Sequence, residues 1–292
     1  LHLAARTAIV RDIPIHYEEI GEGRPVVLRH GFSMEHRFMT DAYEPLFAAC
    51  AGTRPGDGPG WRRIYVDMPG HGATPAPDWL TSDDQVLDVL MEFVDAVAGG
   101  QRLVVVGSSW GGYQARGLAD RLADRIDGML LTVPVVSPGQ GRTDVPPHTV
   151  LVTDPAALAD VQPHEEMWLA ISVVQTREQL DRYRARGRLL PPDEAFQERL
   201  APHYAFSFEG ELTTLIEAPV LIVAGRQDSI VGYHDAWPLL EHMPRATYAV
   251  LDRAGHALER EQSALFTALA SEWLDRVEEF VSFASDAAPE RP

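Results

Sequence analysis

Residues 102–114 read RLVVVGSSWGGYQ, an apolar run that ends in two adjacent serines and a pair of glycines. Leu103 to Val106 show no polar alternation, as expected of a strand buried on both faces, and GGYQARGLADRLADR continues as a helix. Gly107-Ser108-Ser109-Trp110-Gly111 fits G-x-S-x-G, the turn that carries a strand into a helix and lifts a serine hydroxyl clear of the backbone. Both flanking positions require glycine because the two backbones pass too closely to leave room for a Cβ. That requirement makes the serines unequal. With Ser109 at the turn the tight positions are Gly107 and Gly111; with Ser108 there they would be Val106 and Trp110, and neither fits. Ser109 is therefore the candidate nucleophile.

Outward from this turn the chain alternates buried strands with helices. TAIVRD and IHYEEI alternate as strands, and RPVVLRHG and RRIYVDMPGHG follow, separated by a Gly/Pro-rich loop, AGTRPGDGPGW. TSDDQVLDVLMEFVDAVAGG opens on capping residues, carries Val86, Val89, Leu90, Phe93 and Val97 at helical spacing, and closes on Gly99-Gly100. GMLLTVPVV is a further buried strand. The rhythm stops near Ser137 and resumes near Pro219 with PVLIVAGRQD, ATYAVLDRAGH and a last helix bearing Phe266, Leu269, Trp273, Val277 and Phe280. This is the pattern of a mostly parallel sheet covered on both faces, an α/β class. Residues 1–136 and 217–292 then form the core, with 283–292 frayed. Residues 137–216 form a helical insertion, with HEEMWLAISVVQTREQLDRYRARG as its main amphipathic helix.

A serine hydroxyl is nearly inert at neutral pH until a base takes its proton, so a histidine oriented by a carboxylate is required. Asp228 ends the strand PVLIVAGRQD, and His256 lies in the loop after ATYAVLDRAGH. Both sit past the C-terminal ends of strands, where open α/β sheets assemble their sites, and the order Ser109, Asp228, His256 is the order this turn calls for. A histidine base works only unprotonated, so activity should fall below roughly pH 6 to 7. The intermediate of acyl transfer needs fixed donors for its oxyanion: the backbone N–H of Trp110, after the serine, and of Phe32, in the loop after RPVVLRHG. His30 and His71 are read as structural residues of their loops.

With these residues assembled, the sequence resembles the α/β-hydrolase superfamily. The match runs from RHGF through DMPGHGAT, GSSWGG and GRQDSIV to DRAGHALE, about residues 7 to 280. Within it the chain looks like the small single-chain esterases, carbon-carbon bond hydrolases and cofactor-free perhydrolases. The resemblance implies an α/β-hydrolase fold with a mostly parallel sheet of about eight strands and a helical cap over residues 137–216. Serine at position 109 disfavours epoxide hydrolase and haloalkane dehalogenase chemistry, which use an aspartate there. Arg29, before His30, departs from the apolar residue of many relatives, and AGTRPGDGPGWRR looks longer than the usual connection.

The expected function is hydrolysis of a small or medium carboxylic ester or related acyl compound. The alternatives are carbon-carbon bond hydrolysis of a ring-cleavage product or diketone-like acid, and a non-catalytic ligand-binding receptor on the same fold. Trp168, Met167 and Tyr183, with Tyr204, Phe206 and Phe208, are candidates for an apolar or aromatic substrate pocket, and Arg29 for a substrate carboxylate. Arg182 and Arg186 in DRYRARGR are read as a solvated face. No Cys/His cluster has metal-ligand spacing and no Gly-rich phosphate loop follows the first strand, so neither metal nor nucleotide cofactor is implied.

Composition limits the partners. The 292 residues are 45% apolar and carry a net charge of −18, from 43 acidic and 25 basic side chains, a field that repels nucleic acid and anionic lipid. The longest apolar runs fall short of the roughly 20 residues a membrane helix needs. Together with the single cysteine, Cys50, this gives cytoplasmic residence as the expectation. The chain begins at Leu1 without an initiator Met, which leaves a trimmed leader open.

Overall fold

β1 (Ala4–Val10) and β2 (Ile13–Ile20) pair antiparallel through a two-residue turn, Arg11-Asp12, in which both φ angles are positive (48° and 64°). That turn has the right-handed twist of the strands it joins. The computed structural model describes residues 4–50, 60–138 and 145–286. The loop residues 51–59 and the tail beyond 286 lie outside the described residues, so the expectations about AGTRPGDGPGW and about fraying after 286 fall there.

After the hairpin come β3 (Arg24–Arg29), α1 (His36–Cys50), β4 (Trp61–Val66), α2 (Asp83–Ala98), β5 (Leu103–Ser108), α3 (Trp110–Arg121) and β6 (Ile126–Thr132). A segment of small elements follows: β7 (Val152–Thr153), α4 (Pro155–Leu158), α5 (Glu166–Ile171), β8 (Val174–Gln175), α6 (Arg177–Ala185) and α7 (Glu194–Leu200). β9 (Val220–Gly225), β10 (Ala246–Leu251), α8 (Leu258–Glu261) and α9 (Ser263–Asp286) complete the chain.

Eight strands form one sheet in the order β1-β2-β4-β3-β5-β6-β9-β10, antiparallel where β2 meets β1 and β4 and parallel elsewhere. Every residue of β5, β6 and β9 is buried. The Val/Leu/Ile runs of β5 and β9, and the Met129-Leu130-Leu131 run of β6, are the composition that cover on both faces demands. α1 packs on α9 and α2 on α3, and these pairs supply that cover. Ser82 caps α2 by accepting the Gln85 N–H, and Gly99 ends it at φ 59°. Among the described residues no helix is long and apolar enough to cross a membrane.

Two expectations change. HEEMWLAISVVQTREQLDRYRARG is not one helix: α5 and α6 are separated by Ser172–Thr176, which includes β8. The β-branched pair Val173-Val174 disfavours helix. In addition, Glu261 accepts the backbone N–H of both valines, and Thr176 restarts the helix by capping Gln179. At the other end α9 runs on to Asp286, past the expected start of fraying at 283.

Candidate active site

β5 runs straight into the turn at Ser109, whose φ of 55° is rarely adopted by a side-chain-bearing residue. The surrounding glycines show why the strain is imposed. A Cβ on Gly107 would lie 2.2 Å from the carbonyl oxygen of Gly111, and one on Gly111 would lie 2.3 Å from that of Arg29. The turn is tied down by the Ser109 N–H donating to Thr132 O (2.9 Å) and by Ser109 O accepting from Gly112 and Val135.

Asp228 leaves the end of β9 fully buried and accepts the backbone N–H groups of Ile230 (2.8 Å) and Val231 (3.0 Å) through Oδ1. Its Oδ2 lies 2.8 Å from His256 Nδ1, and His256 Nε2 lies 3.0 Å from Ser109 Oγ. An ionised carboxylate can only accept, so the imidazole proton stands on Nδ1 and Nε2 faces the serine as an acceptor. A Cβ on Gly225 would lie 2.4 Å from the carbonyl of Gly255, so the end of β9 and the His256 loop touch through backbone alone. Ser108 points elsewhere: its hydroxyl donates to the buried Glu259 (3.1 Å).

The loop after β3 lies against the nucleophile, since a Cβ on Gly31 would be 3.2 Å from Ser109 Cβ. His30 and His71 hold that loop. The N–H of Met68 donates to His30 Nε2 (3.0 Å) and that of Ser33 to His71 Nε2 (3.1 Å), so each ring keeps its proton on Nδ1, donated to the carbonyls of Gly31 and Pro69. Burial, the larger cause, lowers His30 to about 3 and His71 to about 4, so both are neutral at neutral pH.

A cavity of about 530 Å³ opens over Ser109 and His256. Its walls include Phe32, Met34, Phe38, Val135, Ile230 and Val231, with Met167, Ile171 and Tyr204 contributed by the 137–216 segment. Of the residues expected in a substrate pocket, Met167 and Tyr204 lie here; Phe32, expected only as a backbone donor, lines it as well, and Phe38, Ile230 and Gln197 were not expected. Ile230 was within reach, because a carboxylate taking N–H groups from the next two or three residues turns them toward the site.

The other candidates lie elsewhere. Trp168 is buried with Ala157 and Leu180 in a separate small core, to which Tyr183 also packs. Phe206 is stacked between Tyr113 (4.2 Å) and Phe208 (5.0 Å) and lies against Gly117 of α3. Arg29 projects from the middle of the sheet, fully buried, and among the described residues its three guanidinium nitrogens have no hydrogen-bond partner. It neither reaches the cavity nor forms a salt bridge, and burial alone lowers it to about 9. Arg186 is not part of a solvated face; it stacks on Tyr183 (3.8 Å) and Phe38 (5.3 Å).

Among the described residues one group, His16, His36 and Asp67, brings three ligand-type side chains together. Asp67 already accepts four donors at 2.8–2.9 Å, from His16 Nδ1, His36 Nδ1 and the backbone N–H of His36 and Ala73. Burial opposes its charge, but the hydrogen bonds from both histidines prevail and hold the carboxyl well below the usual range. Its lone pairs are spent on fixing DMPGHG beneath the site rather than left for a cation.

A strained serine at a strand-to-helix turn, on a mostly parallel sheet whose later strands end at an aspartate and a histidine, defines a hydrolase of the α/β kind. The chain belongs to the alpha/beta hydrolase fold family, whose family model matches residues 24–258. It is similar to 2-hydroxy-6-oxononadienedioate/2-hydroxy-6-oxononatrienedioate hydrolase 2 of Pseudomonas putida, at 26% identity over 90% of this chain and 92% of that one. It is also similar to a pimeloyl-[acyl-carrier protein] methyl ester esterase of Shewanella woodyi, at 25% identity over 90% and 98%. Among solved structures an alpha/beta superfamily hydrolase of Oenococcus oeni superposes with a TM-score of 0.81 and 26% identity, over 95% of this chain and all of the other.

Proposed function

We propose that the protein is a serine esterase for neutral, largely apolar acyl groups of small or medium size, with residues 137–216 acting as its cap. The reading is carried by one observation: Ser109 Oγ, His256 and Asp228 form a continuous hydrogen-bonded line at 3.0 and 2.8 Å beneath a cavity. Ser109 attacks the ester carbonyl while His256 Nε2 takes its proton, and Asp228 keeps the ring in the required tautomer and stabilises its cation. The backbone N–H groups of Phe32 and Trp110 hold the oxyanion. His256 returns the proton to the departing alcohol, then activates the water that releases the acid.

A carbon-carbon bond hydrolase would use the same line of residues, and one similar protein bears such a name. Its named substrate is a dicarboxylate. Among the described residues no arginine or lysine lines this cavity, and the chain's net charge of −18 repels a dianion. These two features favour the neutral ester.

Hydrolysis of a short p-nitrophenyl ester tests the proposal. Ser109→Ala is expected to lower kcat by about 10⁴-fold or more, while Ser108→Ala only reduces it, by about 10-fold or less. Equal losses, or activity retained in Ser109→Ala, would contradict the assignment. Turnover of a 2-hydroxy-6-oxo dienoate faster than of any ester would contradict the substrate class, and an inert native protein would leave only a binding role.

A further inference from the structure

Trp110 opens α3 and its side chain is completely buried. The indole Nε1–H donates to the carboxyl of Asp83, 3.0 Å from Oδ1 and 3.2 Å from Oδ2. Asp83 is also fully buried, opens α2, and accepts a second bond from Gln114 Nε2 at 3.0 Å. It is not needed as a helix cap, because Ser82 fills that place. Two helices are thus joined at their first turns through one carboxyl, next to the serine.

Three further rings pack against the Trp110 indole. Phe32 meets it edge-on at 5.2 Å, His71 lies at 5.3 Å, and Tyr204 stacks at 6.4 Å. Phe32 and Tyr204 both line the cavity. The two residues whose backbone N–H groups are proposed to hold the oxyanion therefore touch through their side chains, and one of those side chains is anchored by Asp83.

We infer that Asp83 is a positioning residue for the oxyanion hole: by fixing the Trp110 indole it fixes the Trp110 amide and, through the ring contact, the Phe32 loop. Catalysis by fixed donors depends on their not having to reorganise as charge develops, and a buried tether supplies that rigidity. Burial pushes the Asp83 carboxyl up to about 8, outweighing the hydrogen bonds from Trp110 and Gln114, so at neutral pH it is the neutral acid. A neutral acid has a proton to donate, and the buried Gln114 Oε1, which has no partner, becomes its acceptor if the amide turns over. Asparagine offers the same neutral pairing of one acceptor and one donor.

The inference rests on the oxyanion roles proposed above, and the 292-residue chain acting on a short p-nitrophenyl ester tests it. Asp83→Ala is expected to lower kcat by about 10-fold or more with KM changed less than about 2-fold, short of the loss of a whole donor. Asp83→Asn should stay within about 3-fold of the native kcat. Trp110→Phe, which keeps the ring and removes the N–H, should lose about as much as Asp83→Ala, and the double variant no more than either. A native kcat in Asp83→Ala or Trp110→Phe, or an Asp83→Asn as impaired as Asp83→Ala, would overturn the role. Should Asp83→Ala fail to fold, Asp83→Asn and Trp110→Phe decide alone. Full loss in Ser109→Ala with a native rate in Asp83→Ala overturns only the role of Asp83. Activity retained in Ser109→Ala overturns the nucleophile and this role together.

Discussion

Ser108 and Ser109 are neighbours in sequence and opposites in structure. One hydroxyl is bound to a buried carboxylate, and the other faces an imidazole at the foot of a cavity. The difference was legible because the glycine requirement is steric and local. Asp228 and His256 were legible for a related reason, since strand ends converge in this topology whatever lies between them. The pocket residues were not, because whether Trp168 or Tyr183 faces the cavity or its own small core depends on how short helices are set, and apolar spacing is the same in both cases. Arg29 was misread as well. From the sequence a cation beside His30 offers a site for a substrate carboxylate, whereas Arg29 does not line the cavity and, among the described residues, its guanidinium has no partner. A buried guanidinium without partners costs desolvation that nothing returns. Arg29→Met, of similar length, is therefore expected to raise stability by about 1–3 kcal/mol in urea unfolding. A less stable variant would mean that the guanidinium has a compensating partner.

The strand-turn-helix of β5, Ser109 and α3 is the element on which the site depends, and its strain is held by backbone rather than by side chains. A Cβ on Gly111 would meet the carbonyl of Arg29 at 2.3 Å, and neither strand nor helix can yield without moving the nucleophile. Gly111→Ala should accordingly cost about 3 kcal/mol or more and remove esterase activity. Gly100→Ala, where an added Cβ meets nothing within 4 Å, should stay within about 0.5 kcal/mol of the native protein. Comparable stability in both would show that the turn is less tight than described. Elsewhere the elements followed their periodicity, as in α2 with its serine cap and glycine stop. One departure was α1, where no helix was expected, and another the stretch resolved into α5, β8 and α6. Its helical pattern was real on either side of Val173-Val174, but the break is fixed by Glu261, a residue far along the chain that no local pattern reveals.

Across the whole molecule, buried titratable groups set how stability varies with pH. Folded His30 and His71 titrate near 3 and 4, below their ordinary 6.5, so the unfolded chain binds protons that the fold rejects as pH falls from 6.5 toward 4. Each contributes a loss of up to about 1.4 kcal/mol per pH unit on acidification. Asp83, raised to about 8, has the opposite sign: the fold keeps a proton that the unfolded chain has released, and stability falls as pH rises toward 8. His36 adds to that alkaline fall, because the hydrogen bond and charge of Asp67 outweigh burial and raise it. Below 6.5 the two histidines prevail over Asp83 and over Glu261, a second carboxyl that burial raises, and above 6.5 they are silent. The urea midpoint should therefore peak near pH 6 to 7, and Asp83→Asn should flatten the alkaline side and steepen the acid side, where Asp83 no longer opposes the histidines. A midpoint that rises steadily to pH 8 would contradict these burial effects. The central claim, that this fold places one activated serine beneath the cavity, is tested most directly by treating the native protein with a fluorophosphonate and mapping the adduct by peptide mass. A single stoichiometric adduct on Ser109 is expected, formed at least about 100-fold more slowly when His256 is replaced by alanine. An adduct on Ser108, or none on the native protein, would contradict it.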